Sequence, residues 1–189
     1  MKKLIRNAFF VSILILGVIP LSTIARATVK ADPTEFAIIF ATGGLGDKSF
    51  NDAAWRGKEQ AEDEYGNSIN IDYVEPQTIP EFATYQDDLG GLGKYELIIC
   101  VGFLQTSALN VSAKTYSDQD WVLIDDVLNK TNVRSITFKE HEGSFLVGAM
   151  AAMVTKTDKL GFLGGLDIYL INKFRYGYEQ GAKYINPDI

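Results

Sequence analysis

Cysteine and histidine are almost absent from the 189-residue sequence, which contains Cys100 and His141 and no other residue of either type. A single cysteine excludes a disulfide within the chain, and the strongly apolar run around Cys100 favours a small buried side chain. The sequence also lacks a Cys/His cluster with metal-ligand spacing. We therefore expect no metal and no cofactor, and we interpret His141 as a helix-start or hinge residue rather than a catalyst.

A run of apolar residues long enough for a transmembrane helix is also missing. The stretch AFFVSILILGVIPL is shorter than the roughly 20 residues that a spanning helix needs. It follows Lys2, Lys3 and Arg6 and precedes Ala25 and Ala27, small residues at both recognition positions of a signal-peptidase site, which is the layout of a secretory signal. We predict that residues 1–27 are a signal peptide and that the protein is exported to the periplasm or the cell surface. No cysteine follows the apolar run, so the pattern predicts no lipid anchor.

Basic residues are outnumbered, with 18 Lys and Arg against 24 Asp and Glu and a net charge of −6. The predicted signal peptide holds four cations and no acid, so its removal changes the net charge to −10. A strongly acidic surface repels phosphate backbones, which excludes nucleic acid as an expected partner. The remaining chain of about 160 residues is long enough for one ordinary domain with its own core.

From Phe36 onward, short apolar runs alternate with amphipathic stretches. The predicted strands are 36–41, 69–74, 95–102, 121–126, 133–138 and 159–165. The predicted helices begin near Phe50 and Thr78 and then cover 103–116, 142–157 and 168–185. This alternation predicts an α/β fold with a doubly wound parallel sheet. We expect the strand at 133–138 to be a short connection and the helix at 142–157 to be largely buried.

Two of these helices have capping-box spacing at their start. Ser49 and Asp52 stand three residues apart before the first helix, and Thr78 and Glu81 do so before the second. Pro80 is tolerated in a first helical turn. Glycines 90, 91 and 93 are expected to end the second helix.

We expect residues 28–132 to form a first α/β lobe, 133–157 a crossover strand and buried helix, and 158–189 the start of a second, incomplete lobe. The last predicted strand and helix make a single βα unit, which leaves a strand edge unpaired. The pattern therefore predicts an N-terminal fragment of a longer protein, or a partner that supplies the rest.

The segment ATGGLGDKSFNDAAW, residues 41–55, has glycines, a lysine and a serine before a helix but lacks both common phosphate-binding patterns. A phosphate loop needs the lysine directly after its second glycine, and here Asp47 separates Gly46 from Lys48. The dinucleotide pattern G-x-G-x-x-G fails because Ser49 stands at its last position. The segment is either a plain βα turn or a binding loop for another kind of ligand.

The position of this segment favours ligand binding. It follows the carboxyl end of the first predicted strand, where ligands bind in open α/β sheets. Phe50 offers an aromatic face to a flat heterocycle and Asn51 offers an amide for paired hydrogen bonds. The alternative is that Phe50 is an ordinary core residue.

Several segments together carry a resemblance to a known family: GGLGDKSFNDAAWRG, LIICVGF, WVLIDD, EGSFLVGAMAA and GFLGGLDIYLINKFRYGYEQGAKYINP. They resemble, in order from about Phe36 to the last residue, the basic membrane protein (PnrA-like) family of purine-nucleoside-binding lipoproteins that serve ABC transporters. The resemblance implies a type I periplasmic-binding-protein fold, in which two doubly wound lobes joined by a hinge hold the ligand between them.

The resemblance also implies site residues. Phe50 matches the aromatic that stacks on the base, Asn51 is the adjacent polar residue, and Asp125 matches an acid that lines the cleft and suits a ribose hydroxyl. Asp47 and Ser49 complete the predicted ligand-binding set, although we expect them mainly to shape the loop and cap the helix. Asp125 and Asp126 could instead be loop acids or helix caps.

Three features depart from the family. Ala41 stands where many members carry a ligand-contacting aspartate, the usual lipidated cysteine is missing, and the sequence ends where the family continues. We expect a solute-binding protein of an ABC importer that acts without catalysis, with a nucleoside ligand and the transporter's permease subunits as partners. The alternatives are a nucleoside-processing enzyme on the same scaffold and a ligand-binding component of a sensor.

Overall fold

A sheet of five parallel strands forms the centre of the computed structural model, which describes residues 32–189. The strands and helices are β1 Thr34–Ile39, α1 Phe50–Tyr65, β2 Ile69–Val74, α2 Glu81–Leu92, β3 Leu97–Val101, α3 Thr106–Thr115, β4 Trp121–Ile124, β5 Val133–Ile136, α4 Glu140–Val154 and α5 Tyr169–Ile185. Short 3₁₀ turns lie at Gly66–Ser68 and Phe103–Gln105. The strands stand in the order β2-β1-β3-β4-β5, which confirms the predicted doubly wound parallel sheet.

The two faces of the sheet bury different apolar clusters, because successive side chains of a strand point to opposite sides. The face covered by α2 and α3 holds Ala37, Ile39, Phe82, Leu89, Ile98, Cys100, Leu109, Ala113, Trp121 and Leu123. The face covered by α1 holds Ile38, Phe40 and Val101, packed against Phe50, Ala54 and Trp55. As predicted, Cys100 is fully buried, and burial raises the pKa of its thiol.

The chain changes direction across the sheet between β1 and β3. The connection from β1 leads outward to β2, and the next one returns past β1 to β3, so that β1 and β3 are neighbours with helices on opposite faces. The carboxyl ends of these two strands therefore mark the crevice where open α/β sheets bind ligands.

Two predicted strands differ in the structure. Residues 133–136 form the fifth strand of the sheet, paired in parallel with β4 from Trp121↔Val133 to Ile124↔Ile136, and are not only a connection. The strand predicted over 159–165 is not formed. Strand structure requires a hydrogen-bonded neighbour, and no strand among residues 32–189 lies beside this segment, in which Leu163 is 99% exposed.

The prediction that the small-residue helix is largely buried is wrong for α4. Its outward side chains are more than half exposed; they are Leu146, Val147, Met150, Met153 and Val154. Within the described part of the chain, α4 packs chiefly against α5. This contact buries only the stripe around Gly148, where a Cβ atom would lie 2.9 Å from the Cα of Tyr178.

The ends of α2 differ in detail from the predicted caps. Glu81 accepts hydrogen bonds from the backbone N–H of Gln77 (2.8 Å) and from the Thr78 hydroxyl (2.9 Å), so Thr78 donates to the carboxylate and does not cap the helix itself. The helix continues through Gly90 and Gly91 and ends at Gly93, which adopts a φ of 60°. A side chain at Gly90 would collide with the Tyr116 ring, so this glycine serves packing.

The predicted signal peptide, residues 1–27, lies outside the described residues, as do the expectations on export and lipid anchoring that depend on it. Among residues 32–189, every helix is too short or too polar to cross a lipid bilayer.

Candidate functional site

The loops that follow β1, β3 and β4 meet at one edge of the sheet. The Gly102 N–H after β3 donates to the Ile124 carbonyl at the end of β4, at 3.1 Å. On its other side Gly102 faces the loop after β1, because a Cβ atom at Gly102 would lie 3.3 Å from the Cβ of Ala41 and 3.8 Å from Cε1 of Phe50. Three sequence-predicted features, the glycine-rich loop, Phe50 and the end of β4, are therefore neighbours at this crevice.

Phe50 lies between the core and the crevice. It is half-buried and packs against the cluster of Ile38, Phe40 and Val101 on the α1 face of the sheet. The edge of its ring reaches Gly102 at the carboxyl end of β3. The side chain therefore contributes to the core, as the alternative interpretation of Phe50 expected, and it also borders the crevice, while its stacking on a ligand stays a prediction.

Asn51 is used by the loop. Its side chain is 2% exposed; Oδ1 accepts from the Ala41 N–H at 2.9 Å, and Nδ2 donates to the carbonyls of Ala41 (3.2 Å) and Gly44 (3.0 Å). These bonds tie the first turn of α1 to the end of β1. They leave little of the amide for a ligand. Asn51 positions the loop beside Phe50, and this differs from the expectation that its amide faces the crevice.

Two aspartates lock the start of α1, and the predicted Ser49–Asp52 capping box is wrong. The Asp47 carboxylate accepts from the backbone N–H groups of Ser49 (2.8 Å), Asn51 (2.9 Å) and Asp52 (3.2 Å), and these bonds hold the pKa of Asp47 below its usual value. Asp52 in turn accepts from the N–H groups of Gly46 (2.7 Å) and Lys48 (2.8 Å). The Ser49 side chain makes no capping bond. The loop bends at Lys48, with a φ of 52°, which brings Asp47 to the helix end.

Asp125 and Asp126, which the sequence could not separate, have different roles. Asp126 is engaged within the fold, since its carboxylate accepts from the Thr106 hydroxyl at 2.6 Å and from the Val127 N–H at 2.8 Å. Asp125 has a positive φ of 79°, and its N–H donates to the Ile136 carbonyl at 2.8 Å. From residues 32–189 its half-buried carboxylate accepts no hydrogen bond, so both oxygens are available to a ligand.

Burial raises the pKa of the Asp125 carboxyl, and the nearby Glu140 charge raises it further. Lys173 acts in the opposite direction and lowers it. Asp125 is therefore an acceptor whose charge depends on two residues from α4 and α5.

Sequence reasoning missed Gln105, which lies beneath the crevice. This fully buried side chain donates from Nε2 to the carbonyls of Ile39 (2.8 Å) and Val101 (2.9 Å), the last residues of β1 and β3. Its Oε1 accepts from Nε2 of Gln86 at 3.3 Å, and Oε1 of Gln86 accepts from the Ser112 hydroxyl at 3.1 Å. Because the two strands separate here, their carbonyls need another partner. The only signal in the sequence is a glutamine directly after the apolar run that ends at Leu104.

A buried ion pair between Glu140 and Lys173 was also missed. The Glu140 side chain at the start of α4 is 4% exposed, and Lys173 of α5 is 22% exposed. Burial opposes ionisation of Glu140, but Lys173 and the Phe138 N–H hold the pKa of that carboxyl below its usual value. The described residues contain no group of three or more His, Cys, Asp or Glu side chains that could hold a metal ion.

Comparison with known proteins connects the chain to a family. The family model described as ABC transporter substrate-binding protein PnrA-like matches residues 35–189. A relative named ABC transporter nucleoside-binding protein BmpA, from Lactococcus lactis subsp. cremoris, is 33% identical over 85% of this chain and 46% of its own length. Basic membrane protein A of Borreliella burgdorferi is 32% identical over 97% of this chain and 54% of its own length. An uncharacterized lipoprotein of Pyrococcus abyssi is 38% identical over 82% of this chain and 39% of its own length.

A solved structure agrees with these relatives. The crystal structure of an ABC transporter solute-binding protein from Aeropyrum pernix K1 is 33% identical, with a TM-score of 0.70, and the match covers 82% of this chain and 44% of that chain. The chain spans about half the length of the curated relatives it matches. The predicted periplasmic-binding-protein fold is confirmed, and the chain belongs to the family of PnrA-like substrate-binding proteins of ABC transporters.

Proposed function

We propose that the protein is the exported solute-binding component of an ABC importer and that its ligand is a purine nucleoside. The observation that supports this proposal is that Gly102 borders the Phe50 ring on one side and on the other donates to the Ile124 carbonyl, the residue before Asp125, at the carboxyl edge of the sheet. Among the relatives, the protein from Lactococcus lactis is named for nucleoside binding.

The two ends of a nucleoside suit the two sides of this crevice. A purine ring can stack on an exposed part of the Phe50 ring, an interaction worth about 1–3 kcal/mol per base in other proteins. A ribose hydroxyl can donate to the free carboxylate of Asp125, which is acceptor-only when ionised. Ala41 cannot supply a second acid beside Phe50, so in our proposal Asp125 alone accepts from the sugar on this side of the ligand.

In this proposal, transport depends on a ligand that binds the closed conformation of the protein more tightly than the open one. A ligand that contacts both lobes of a binding protein stabilises the closed state, and the transporter's permease subunits recognise that state. The protein binds and releases its ligand unchanged and carries out no catalysis. Secretion through a cleaved signal peptide at residues 1–27 would bring it to the outer side of the membrane, the setting suggested by relatives that are named lipoproteins.

Replacement of Phe50 tests the stacking contact. We expect purine nucleosides to bind the protein and Phe50→Ala to weaken that binding about tenfold to hundredfold, which corresponds to the loss of one stacked base. Isothermal titration calorimetry with adenosine, guanosine, inosine, free adenine and ribose measures both the affinity and the ligand class. Phe50→Leu keeps most of the apolar contact with Phe40 and Val101 and removes the ring, so it should lose affinity while retaining the melting temperature.

Tyr65→Ala is the matched control, because Tyr65 is an exposed aromatic at the far end of the same helix. It should leave nucleoside affinity unchanged. Binding of ribose without binding of nucleosides, or equal affinity in the wild type and Phe50→Ala, would overturn the proposed ligand. Release of free base from bound nucleoside, detected by chromatography, would instead indicate the enzyme.

A further inference from the structure

Lys173 connects three elements next to the crevice. Its ammonium group pairs with the Glu140 carboxylate at the first turn of α4, and its Nζ donates to the Phe138 carbonyl at 3.2 Å. Glu140 also turns back, since its Oε1 accepts from the Phe138 N–H at 3.2 Å. Phe138 lies in the connection between β5 and α4, and Glu140 is the first residue of α4, so Lys173 joins the first turns of α5 to both.

The Glu140–Lys173 ion pair lies where an unpaired charge would destabilise the fold. Glu140 is nearly fully buried, and an uncompensated buried carboxylate loses the solvation that it has in water. The amino end of α4 favours a negative charge, but a second carboxylate, that of Glu142, already lies in the same first turn as Glu140. Lys173 is the cation that the structure pairs with Glu140, and no other salt bridge within residues 32–189 reaches this carboxylate.

The same pair is joined through the backbone to Asp125, whose N–H donates to the Ile136 carbonyl at 2.8 Å, two residues before Phe138, which bonds both Lys173 and Glu140. The charged groups that act on Asp125 are Glu140 of α4, Lys173 of α5 and its own neighbour Asp126. The two acids favour the protonated form of Asp125, and only the lysine favours the ionised form. Without Lys173, the Asp125 carboxyl would face two like charges in a partly buried position, where such interactions are weakly screened.

We propose that Lys173 is a positioning residue for the ligand crevice: it neutralises the buried Glu140 and ties α5 to Phe138 and Glu140, so that the Asp125 carboxylate is held as an acceptor for a ligand hydroxyl. This inference rests on the proposed function, because the hydroxyl belongs to the proposed nucleoside. Lys173 acts through Asp125 and need not touch the ligand itself.

The first test measures the protonation of Asp125 in the absence of any ligand. In protein labelled with ¹³C at the aspartate carboxyl carbons, the Asp125 signal is assigned by its absence in Asp125→Asn and is followed through a pH titration. We expect Lys173→Met to move the titration midpoint of Asp125 to higher pH. Lys173→Arg should retain the wild-type midpoint, because it keeps the charge. Adding Glu140→Gln to Lys173→Met should move the midpoint back, because the extra negative charge is then gone.

The second test measures the affinity for adenosine as a function of pH. An ionised acceptor is lost as the pH falls through its pKa, so the affinity for adenosine should decline toward acid pH and should decline at a higher pH in Lys173→Met. In the pH range between the two midpoints we expect affinity to be lower by about fivefold or more, the lower end of usual coupling between separate sites. Lys183→Met on the exposed side of the same helix is the matched control and should change neither readout.

An unchanged Asp125 midpoint in folded Lys173→Met would overturn this inference, and so would an affinity loss that is the same at every pH. If the midpoint moves but the wild type binds no purine nucleoside, the ligand assignment fails while the action of Lys173 on Asp125 stands. The two tests therefore separate the failure of the further inference from the failure of the proposed function.

Discussion

Replacement of Gly181 with alanine is expected to destabilise the packing of α4 against α5 strongly. A Cβ atom at Gly181 would lie 2.9 Å from the Cα of Phe145 and still closer to the carbonyl oxygen of that residue. The obstacle is backbone, which cannot move aside like the end of a flexible side chain, so the two helices must separate. Overpacking of this kind usually costs about 1–3 kcal/mol, and we expect the upper end or more here.

Separation of the helices would also break contacts along their whole length. Gly148 and Gly177 make equally close approaches, to Tyr178 and His141, and the Ser144 hydroxyl donates to the Phe174 carbonyl at 2.6 Å. These contacts require the short distance between the helix axes that the glycines permit. Urea unfolding of the purified protein, followed by circular dichroism, measures the expected loss as a lower midpoint.

Gly143→Ala is the matched control for Gly181→Ala. Gly143 lies in α4, but no atom lies within 4 Å of a Cβ placed there. Alanine at this position removes the flexibility of a helical glycine and should stabilise the protein by about 0.5–1 kcal/mol. Opposite shifts of the urea midpoint in the two variants would identify the glycine contact as the cause. Equal midpoints for Gly181→Ala and the wild type would show that the helices do not pack closely in solution.

The glycine contact shows why periodicity predicted α5 but not its packing face. The pattern correctly predicts a helix over 168–185, with an apolar stripe that includes Phe174 and Ala182. Ala182 is buried, yet Phe174 is 38% exposed, and the closest contact is made by Gly177 and Gly181. Glycine adds nothing to an apolar stripe, because its contribution is the absence of a side chain where another backbone approaches.

The order of strands and helices could be predicted because each apolar run is short and each is followed by an amphipathic stretch. The failure at 159–165 has a physical cause: an apolar run becomes a strand only beside another strand, and a one-dimensional pattern does not contain that neighbour. The capping error has a similar origin. Spacing alone favours Ser49, whereas the bend at Lys48 makes Asp47 the residue whose carboxylate reaches the helix end.

For the candidate site, the sequence could predict position along the chain but not contact with a ligand. Phe50 borders Gly102, and Asp125 directly follows β4, whose last carbonyl accepts from the Gly102 N–H, while their ligand contacts stay predictions. Asn51 was assigned to the ligand because its amide suits a heterocycle, but the same amide also suits the carbonyls of a tight loop. Only the bend of residues 41–46 determines which partner it meets. Gln105 and Glu140 were missed because their roles depend on strands and helices that are distant in the sequence.

Replacement of Gln105 with leucine is expected to destabilise the sheet at the crevice itself. Leucine fills a similar volume but donates no hydrogen bond, so the carbonyls of Ile39 and Val101 are left buried without this partner, and Gln86 loses one as well. Each buried polar group without a partner costs about 1–3 kcal/mol, and we expect a total loss of about 3 kcal/mol or more. Urea unfolding measures this loss, and affinity for the proposed nucleoside ligand should fall with it because the loops bearing Ala41 and Gly102 lose their support.

Two further variants separate the hydrogen bonds from the volume of the side chain. Gln77→Leu removes an exposed glutamine whose Nε2 donates to the Glu75 carbonyl, and it should change stability by no more than about 0.5 kcal/mol. Gln105→Glu keeps the shape but points carboxylate oxygens at two carbonyls, which raises the pKa of the new carboxyl above its value in the unfolded chain. Its folded state then binds a proton more tightly than the unfolded state, so the stability of this variant should increase as the pH falls, relative to the wild type. A Gln105→Leu protein as stable as the wild type would show that water replaces the amide, and the crevice would then not depend on this side chain.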